Sequence, residues 1–459
     1  MKTLSRPALW LWALAGAGES AHKAAKSKAA NTAQGVVFIT EPQNTSDEVG
    51  SGAGPCSNPT ATLEALARLG GEPINDAGKP IGLKLDGASI SLEPAGQFEL
   101  SGAPVDDLHQ TAAELDAHLR DLRAVAEPLG LGFAPLGFHP LATRAQMPWM
   151  PKGRYAIMRR YMPQVGTLGL DMMTRTCTVQ ANLDYASESD MRRKLRVGLL
   201  LQPLATALFA NSPFTEGRPN GFQSYRAQVW TDTDNARSGV PRLMLDEDFG
   251  FAGYAEWLID EVPMYFVYRR GRYIDVAGRS FRAFMEGRVP ELAGERATLG
   301  DFADHMTTVF TEVRVKRFLE MRGADAGSPA MMVAQSAFWV GLLYEEQALD
   351  AALELVRGVG FEAVSALRLA VPREGIEARL DAPWPVRTMR ALAKEAVAIA
   401  RAGLVARGRR EAAGRDESGY LDPLAAIAEG APNQAQHWLA RYHGVWHGDA
   451  GRIFTEASV

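Results

Sequence analysis

Apolar positions along the chain switch between helical and alternating spacing, without the regular strand–helix succession of a doubly wound parallel sheet. Leu63, Leu66, Ala67 and Leu69 recur at helical intervals, and Gly70-Gly71 follow as a stop, so packed structure is expected to begin near Ala61. Residues 107–126 place Leu108, Leu115, Leu119 and Leu122 on one helical face, and 188–210 do the same with Met191, Leu195, Val197, Leu200 and Leu204. Strand-like runs cover 88–100, 175–185, 262–268 and 313–321, and several helices are expected from about residue 336. Turn residues crowd 211–221, where Pro213, Gly217, Pro219 and Gly221 predict a shaped loop. The pattern predicts an α+β fold with an antiparallel sheet.

The start of the chain has a different character. Lys2 and Arg6 precede the apolar stretch 8–17, Ala15-Gly16-Ala17 has signal-peptidase spacing, and 18–35 are rich in Ala, Lys and Ser with Glu19 the only acid. Residues 36–60 open with one short strand-like run and dissolve into Gly, Ser, Pro and Asn. Residues 1–60 are therefore expected to be a leader and linker, with targeting and a floppy start as the two readings. No other apolar run has the length of a membrane helix.

A chain of 459 residues has ample length for a core, and a net charge of −5 provides no basic field for nucleic acid. Two cysteines, Cys56 and Cys177, are too few for a disulfide framework and point to a reducing compartment.

Four segments carry candidate chemistry. On an extended 91–101, Glu93, Gln97 and Glu99 share one face, and two carboxylates with an amide suit a hard cation such as Mg²⁺; a solvated strand face is the alternative. On 175–184, Thr176, Thr178, Gln180, Asn182 and Asp184 share a parity that suits a ligand floor or a polar outer face, with Cys177 on the apolar side. On 313–325, Arg314, Lys316, Glu320 and Arg322 point one way, which makes either a phosphoryl-binding face or a surface ion-pair ladder. The loop 211–226 and its continuation present Arg218, Arg226 and Trp230 as a pocket for a small carboxylate.

Together the strings SLEPAGQFELSGAP, RYAIMRRYMP, GTLGLDMMTRTCTVQANLDYASESDM, LQPLATALFANSPFTEGRPNGF, VPMYFVYR, VKRFLEMRGAD and AFWVGLLY resemble glutamate–cysteine ligases of the plant and proteobacterial type, over nearly all of 61–459. The resemblance implies a glutamine-synthetase-like ligase fold: a curved, mainly antiparallel sheet with substrates on its concave side and helices outside, 61–459 being the catalytic domain with a helical C-terminal part. It implies ATP- and Mg²⁺-dependent joining of the glutamate γ-carboxyl to the cysteine amine through an acyl phosphate, the first step of glutathione synthesis. Glu93, Glu99, Glu320 and Gln180 would then be metal ligands and Arg322 the catalytic group at the transferring phosphoryl, with Arg226, Trp230, Gln97 and Asn182 contacting substrate. The implied partners are these small molecules, with neither nucleic acid nor membrane among them, and the oligomeric state is left open. Cytoplasm is the expected location, with a plastid or other organelle as the alternative if 1–35 are a targeting segment.

The family's Thr-Glu-His-Glu-Lys string, whose two acids complete the metal site, is represented here by Thr40-Glu41-Pro42-Gln43-Asn44. That departure keeps two alternatives open: an inactive paralogue that binds ligand or partner, and a γ-glutamyl ligase with another amine acceptor.

Overall fold

The computed structural model describes residues 31–40 and 59–459 apart from Leu69 and Ala77, with only the backbone path at 31–40, 59 and 60. Its centre is a nine-stranded sheet formed by β1 (Asn31–Thr40), β2 (Glu72–Asp76), β3 (Lys79–Lys84), β4 (Ser89–Leu92), β5 (Phe98–Ser101), β6 (Gly132–Ala134), β7 (Thr178–Leu183), β8 (Val313–Val315) and β9 (Leu319–Asp325). The spatial order is β8-β9-β7-β1-β5-β4-β3-β2, β6 pairs with the far half of β1, and every pairing is antiparallel. The α+β fold with a mainly antiparallel sheet is as expected.

The expected boundary at residue 60 is not. β1 lies between β5 and β7, with Val36 opposite Glu99 and Gln34 opposite Gln180. A strand in mid-sheet satisfies backbone groups on two neighbours, so β1 belongs to the folded body and not to a linker. The rest of the expected leader, residues 1–30 and 41–58, lies outside the described residues, as do Cys56 and Glu41, the one acid of the segment that stands for the family's acidic string.

Alternation divides the sheet into an apolar and a polar face. Ile90, Leu92, Phe98, Leu100, Val179, Ala181, Leu183, Leu319 and Met321 point into the main core. That face is covered by α1 (Pro59–Ala67) against β3, α2 (Leu108–Leu129) against β1 and β6, α5 (Glu188–Leu208) against β9, and α7 (Pro329–Leu343) against β7 and β1. Both long helices read from the sequence start on a side-chain cap: Asp107 accepts from Gln110 N–H at the start of α2, and Ser187 from Asp190 N–H at the start of α5. The Leu and Met residues read as their inner faces are all buried. A close crossing joins α7 to α8 (Met389–Arg407), where a Cβ on Gly403 would lie 2.0 Å from the Gly341 carbonyl oxygen, so only glycine admits this approach.

On the polar face lie α3 (Gly153–Val165), α4 (Gly169–Arg175) and α6 (Tyr225–Val229). The chain closes with α9 (Gln434–His443) and α10 (Ile453–Ala457), which pack on a second core containing Leu136, Cys177, Phe214, Trp446 and Phe454. No described helix is long and apolar enough to cross a membrane.

Candidate active site

Two hairpins build the site where the sequence alone suggested single strands. Between β4 and β5 the chain turns over Pro94-Ala95-Gly96, with Gly96 at φ 81° and its N–H bonded to the Glu93 carbonyl. Glu93 and Gln97 flank the turn, and Ser91 faces Glu99 across the strands. Likewise β8 turns into β9 so that Arg314 faces Glu320. Cross-strand partners share a face, so each group still points the way the parity of a continuous strand implied.

Glu93, Glu99, Gln97, Gln180, Glu320, Arg322, Arg226 and Trp230 line one cavity of about 290 Å³. Asn182 does not line it. It is buried in register with Glu320, and its Oδ1 has no partner among the described residues. Arg218, on the loop before α6, is exposed and outside the cavity.

The charges in the cavity are unevenly spread. Glu320 is 1% exposed and accepts four hydrogen bonds: to Oε2 from Arg314 Nε at 2.7 Å and Arg322 Nη1 at 2.7 Å, and to Oε1 from Arg314 Nη2 at 3.0 Å and Lys316 Nζ at 3.3 Å. Burial raises its carboxyl, but Arg314, Arg322 and Lys316 outweigh burial and hold it well below the usual carboxylate range. Glu99 is the opposite case. Burial and then Glu93 push it up to about 7, with Glu320 adding to the rise, while a hydrogen bond from Ser101 Oγ at 3.1 Å and the charge of Lys152 oppose it. Glu93 has the Tyr155 hydroxyl at 3.5 Å, and Tyr155 in turn receives a bond from the buried Lys152 Nζ at 3.3 Å.

Fit to a metal separates the expected ligands. Glu320 has its lone pairs taken by cations, Gln180 Oε1 accepts from Arg322 Nη1 at 3.1 Å, and no described group of three His, Cys, Asp or Glu side chains is arranged to hold a metal ion. Glu93 and Glu99 do fit one. They are two carboxylates close enough to repel, and a divalent ion that keeps several waters and binds through one or two carboxylates plus phosphate oxygens would relieve them.

The other expected residues divide similarly. Gln97 spends its amide on the protein: Oε1 accepts from Ala95 N–H at 2.8 Å, and Nε2 donates to the carbonyls of Met173 at 3.1 Å and Thr176 at 3.3 Å, which pins the hairpin tip to α4. Arg226, 3% exposed, donates from Nη2 to the Arg322 carbonyl at 2.8 Å, while its Nε has no partner among the described residues. Trp230 Nε1 is unpartnered in the same sense, and its ring lies 5.8 Å from that of Phe310. Cys177 also lines the cavity, and burial raises its thiol well above its ordinary range, which disfavours the thiolate that a nucleophile needs.

The family model described as glutamate-cysteine ligase family 2 (GCS2) matches residues 57–456. This chain belongs to that family. Among curated glutamate–cysteine ligases of the family, the chloroplastic enzyme of Solanum lycopersicum is 49% identical over 389 residues, 85% of this chain and 72% of its own length. That of Arabidopsis thaliana is 49% identical over 385 residues, 84% of this chain and 72% of its own. The solved glutamate–cysteine ligase of Francisella tularensis, in complex with AMP, superposes with a TM-score of 0.56 at 12% identity, over 94% of this chain and 89% of that one, and shares its fold.

Sequence reasoning assigned no role to Arg154, Tyr155, Met158, Met172, Met173, Thr307 or Phe310, which form part of the cavity wall together with Pro94, Phe266 and Thr308. The strings RYAIMRRYMP and GTLGLDMMTRTC contained the first five, but helix α3 has no sharply divided apolar face that would mark Arg154 and Tyr155 as inward.

Proposed function

We propose that this chain ligates the γ-carboxyl of glutamate to the amine of cysteine at the expense of ATP, in the cavity under the polar face of the sheet. The observation that carries the proposal is the gathering of Glu93, Glu99, Glu320, Arg322 and Arg226 around one hollow, in a chain that belongs to a glutamate–cysteine ligase family.

The γ-carboxylate oxygen of glutamate attacks the terminal phosphorus of ATP, the bond to ADP breaks, and the cysteine amine then displaces phosphate from the acyl phosphate, losing a proton as the amide forms. Both steps concentrate negative charge on phosphoryl oxygens, and preorganised cations are what such steps need. Arg314, Lys316 and Arg322 supply them, and Glu320 holds the three together without their mutual repulsion splaying them. All three cations line the cavity, but Arg314 spends Nε, Nη1 and Nη2 on Glu320 and the Thr307 and Val309 carbonyls, whereas Arg322 bonds Gln180 and Glu320 through Nη1 alone among the described residues. Arg322 is therefore the catalytic member, with donors left for a phosphoryl group. Arg226 and Trp230 hold a substrate carboxylate and its carbon chain, which agrees with their unpartnered N–H groups. Glu93 and Glu99 would hold a magnesium ion, which when bound neutralises nucleotide phosphate charge. Glu320 thus organises cations instead of ligating metal, and Gln97 shapes the floor instead of touching substrate.

Purified protein given ATP, Mg²⁺, glutamate and cysteine should release phosphate in step with γ-glutamylcysteine, read by mass spectrometry. Release no greater than that of a Glu320→Ala variant refutes the ligase reading. Competition between cysteine and 2-aminobutyrate then fixes the amine acceptor. The chloroplastic designation of the plant relatives and the Ala-, Lys- and Ser-rich start favour an organelle over the cytoplasm, which an import assay decides.

A further inference from the structure

Behind the cavity, on the side away from the carboxylates, a buried hydrogen-bond chain runs from Arg226 to the C-terminal helices. Asp325, at the end of β9 and 1% exposed, accepts at Oδ2 from Asn211 N–H at 2.8 Å and Ser212 Oγ at 2.6 Å, and at Oδ1 from Ser224 Oγ at 2.8 Å. Arg226 Nη1 lies 4.0 Å from Oδ1, and Arg226 N–H donates to Ser212 Oγ at 3.1 Å. One carboxylate therefore ties down both ends of the loop before α6, the Ser224 cap of α6, and the guanidinium that α6 carries into the cavity. The fit is close enough that a Cβ on Gly137 would lie 2.4 Å from the Asp325 carboxyl.

Asn211 extends the chain outward. Its Nδ2 donates to the carbonyls of Pro135 at 3.0 Å and Ala326 at 2.8 Å, and its Oδ1 accepts from Trp438 Nε1 on α9 at 2.8 Å. The Trp438 ring stacks on Trp446 at 5.7 Å, and α9 is anchored separately by Ala435 N–H to the Ala210 carbonyl at 3.0 Å.

We propose that Asp325 is a positioning residue for Arg226, and that Asn211 and Trp438 carry this support to the C-terminal helices, so that a segment remote from the reacting atoms sets how tightly the amino-acid substrate is held. The inference rests on the proposed role of Arg226 in holding a substrate carboxylate. A guanidinium with few fixed bonds of its own depends on its surroundings for aim, and small misplacements of such groups are costly.

Trp438→Phe tests it, because a smaller aromatic ring can still stack on Trp446 while the indole N–H is lost. Trp446→Phe is the matched control: it alters the same stack and also loses an indole bond, to Glu456 Oε1 at 2.6 Å, but leaves the Trp438 bond to Asn211 in place. Steady-state kinetics of the full chain should show KM for glutamate raised roughly 3- to 10-fold in Trp438→Phe, kcat changed less than about twofold, and KM near wild type in Trp446→Phe. Equal KM values for the two variants overturn the proposal. A crystal structure of Trp438→Phe provides a readout that needs no turnover: the Arg226 guanidinium should shift by about 0.5 Å or more, and an unmoved guanidinium also overturns it. Absence of ligase activity in the wild type defeats the functional reading, and the displacement still decides the positioning claim.

Discussion

Arg314 and Glu320 face each other across the β8–β9 hairpin, and the guanidinium bonds both carboxylate oxygens, at 2.7 Å and 3.0 Å. With Lys316 and Arg322 on the same carboxylate, Glu320 is a single anion in contact with three cations. Glu320→Gln leaves those cations uncompensated at a buried site, and such a loss costs about 3–5 kcal/mol. Chemical denaturation should show that destabilisation, and Arg314→Met added to it should recover part. A Glu320→Gln protein as stable as wild type refutes the arrangement.

Glu99 predicts a pH dependence of stability. Its carboxyl is raised from 4.5 to about 7 in the folded protein, so the folded state binds the proton more tightly than the unfolded chain. That contribution is fully present below about 4.5 and is lost as pH rises through about 7. Without divalent metal the melting temperature should fall over this interval, and Glu99→Gln should flatten the fall. Added Mg²⁺ should raise the melting temperature of the wild type above neutral pH more than that of the variant, as thermal scans across pH will test.

Arg322→Lys retains a charge but loses the planar pair of donors, with Gln180 and Glu320 left to share a single ammonium. The expected result is a kcat lower by about 10²-fold with KM for glutamate changed far less. Steady-state kinetics with glutamate varied at saturating ATP measures the split. A lysine enzyme with wild-type kcat removes Arg322 from the phosphoryl step.

Cys177 is 1% exposed, just before β7, with its N–H on the Gly137 carbonyl and its side chain between the second core and the cavity wall. Iodoacetamide should leave it unmodified in the native protein and label it in denaturant, as peptide mass spectrometry would report, and Cys177→Ala should keep activity. Labelling that tracks inactivation of the folded protein would contradict this.

Legibility of the sequence varied with how local each determinant is. Leu108, Leu115, Leu119 and Leu122 spell out their helix, because burial on a 3.6-residue period depends on one face alone. The polar parity of Glu93, Glu99, Glu320 and Arg322 was equally legible, and it survived the misreading of two hairpins as strands because facing residues keep a common side. The turns themselves were missed, although Pro94 and Gly96 mark the first. What no local pattern encodes is where side chains spend their bonds. Gln97 reads as a ligand until α4 is seen to present two carbonyls to it, and Glu320 reads as a metal ligand until three cations are seen around it. Glu93 and Glu99, with no cation bonded to either carboxylate among the described residues, stay open to the metal proposed for them.

The strand Asn31–Thr40 comes first in the chain yet separates two groups of partners that follow it, β7 and β9 on one side and β5 and β4 on the other. Any removal of a leader would be bounded by this: a cut before Asn31 spares the ladder, whereas one after Thr40 that releases the strand would part the sheet down its middle and bare two adhesive edges. The acids of the cavity come from both halves, so a protein that lost the strand would lose the shared hollow.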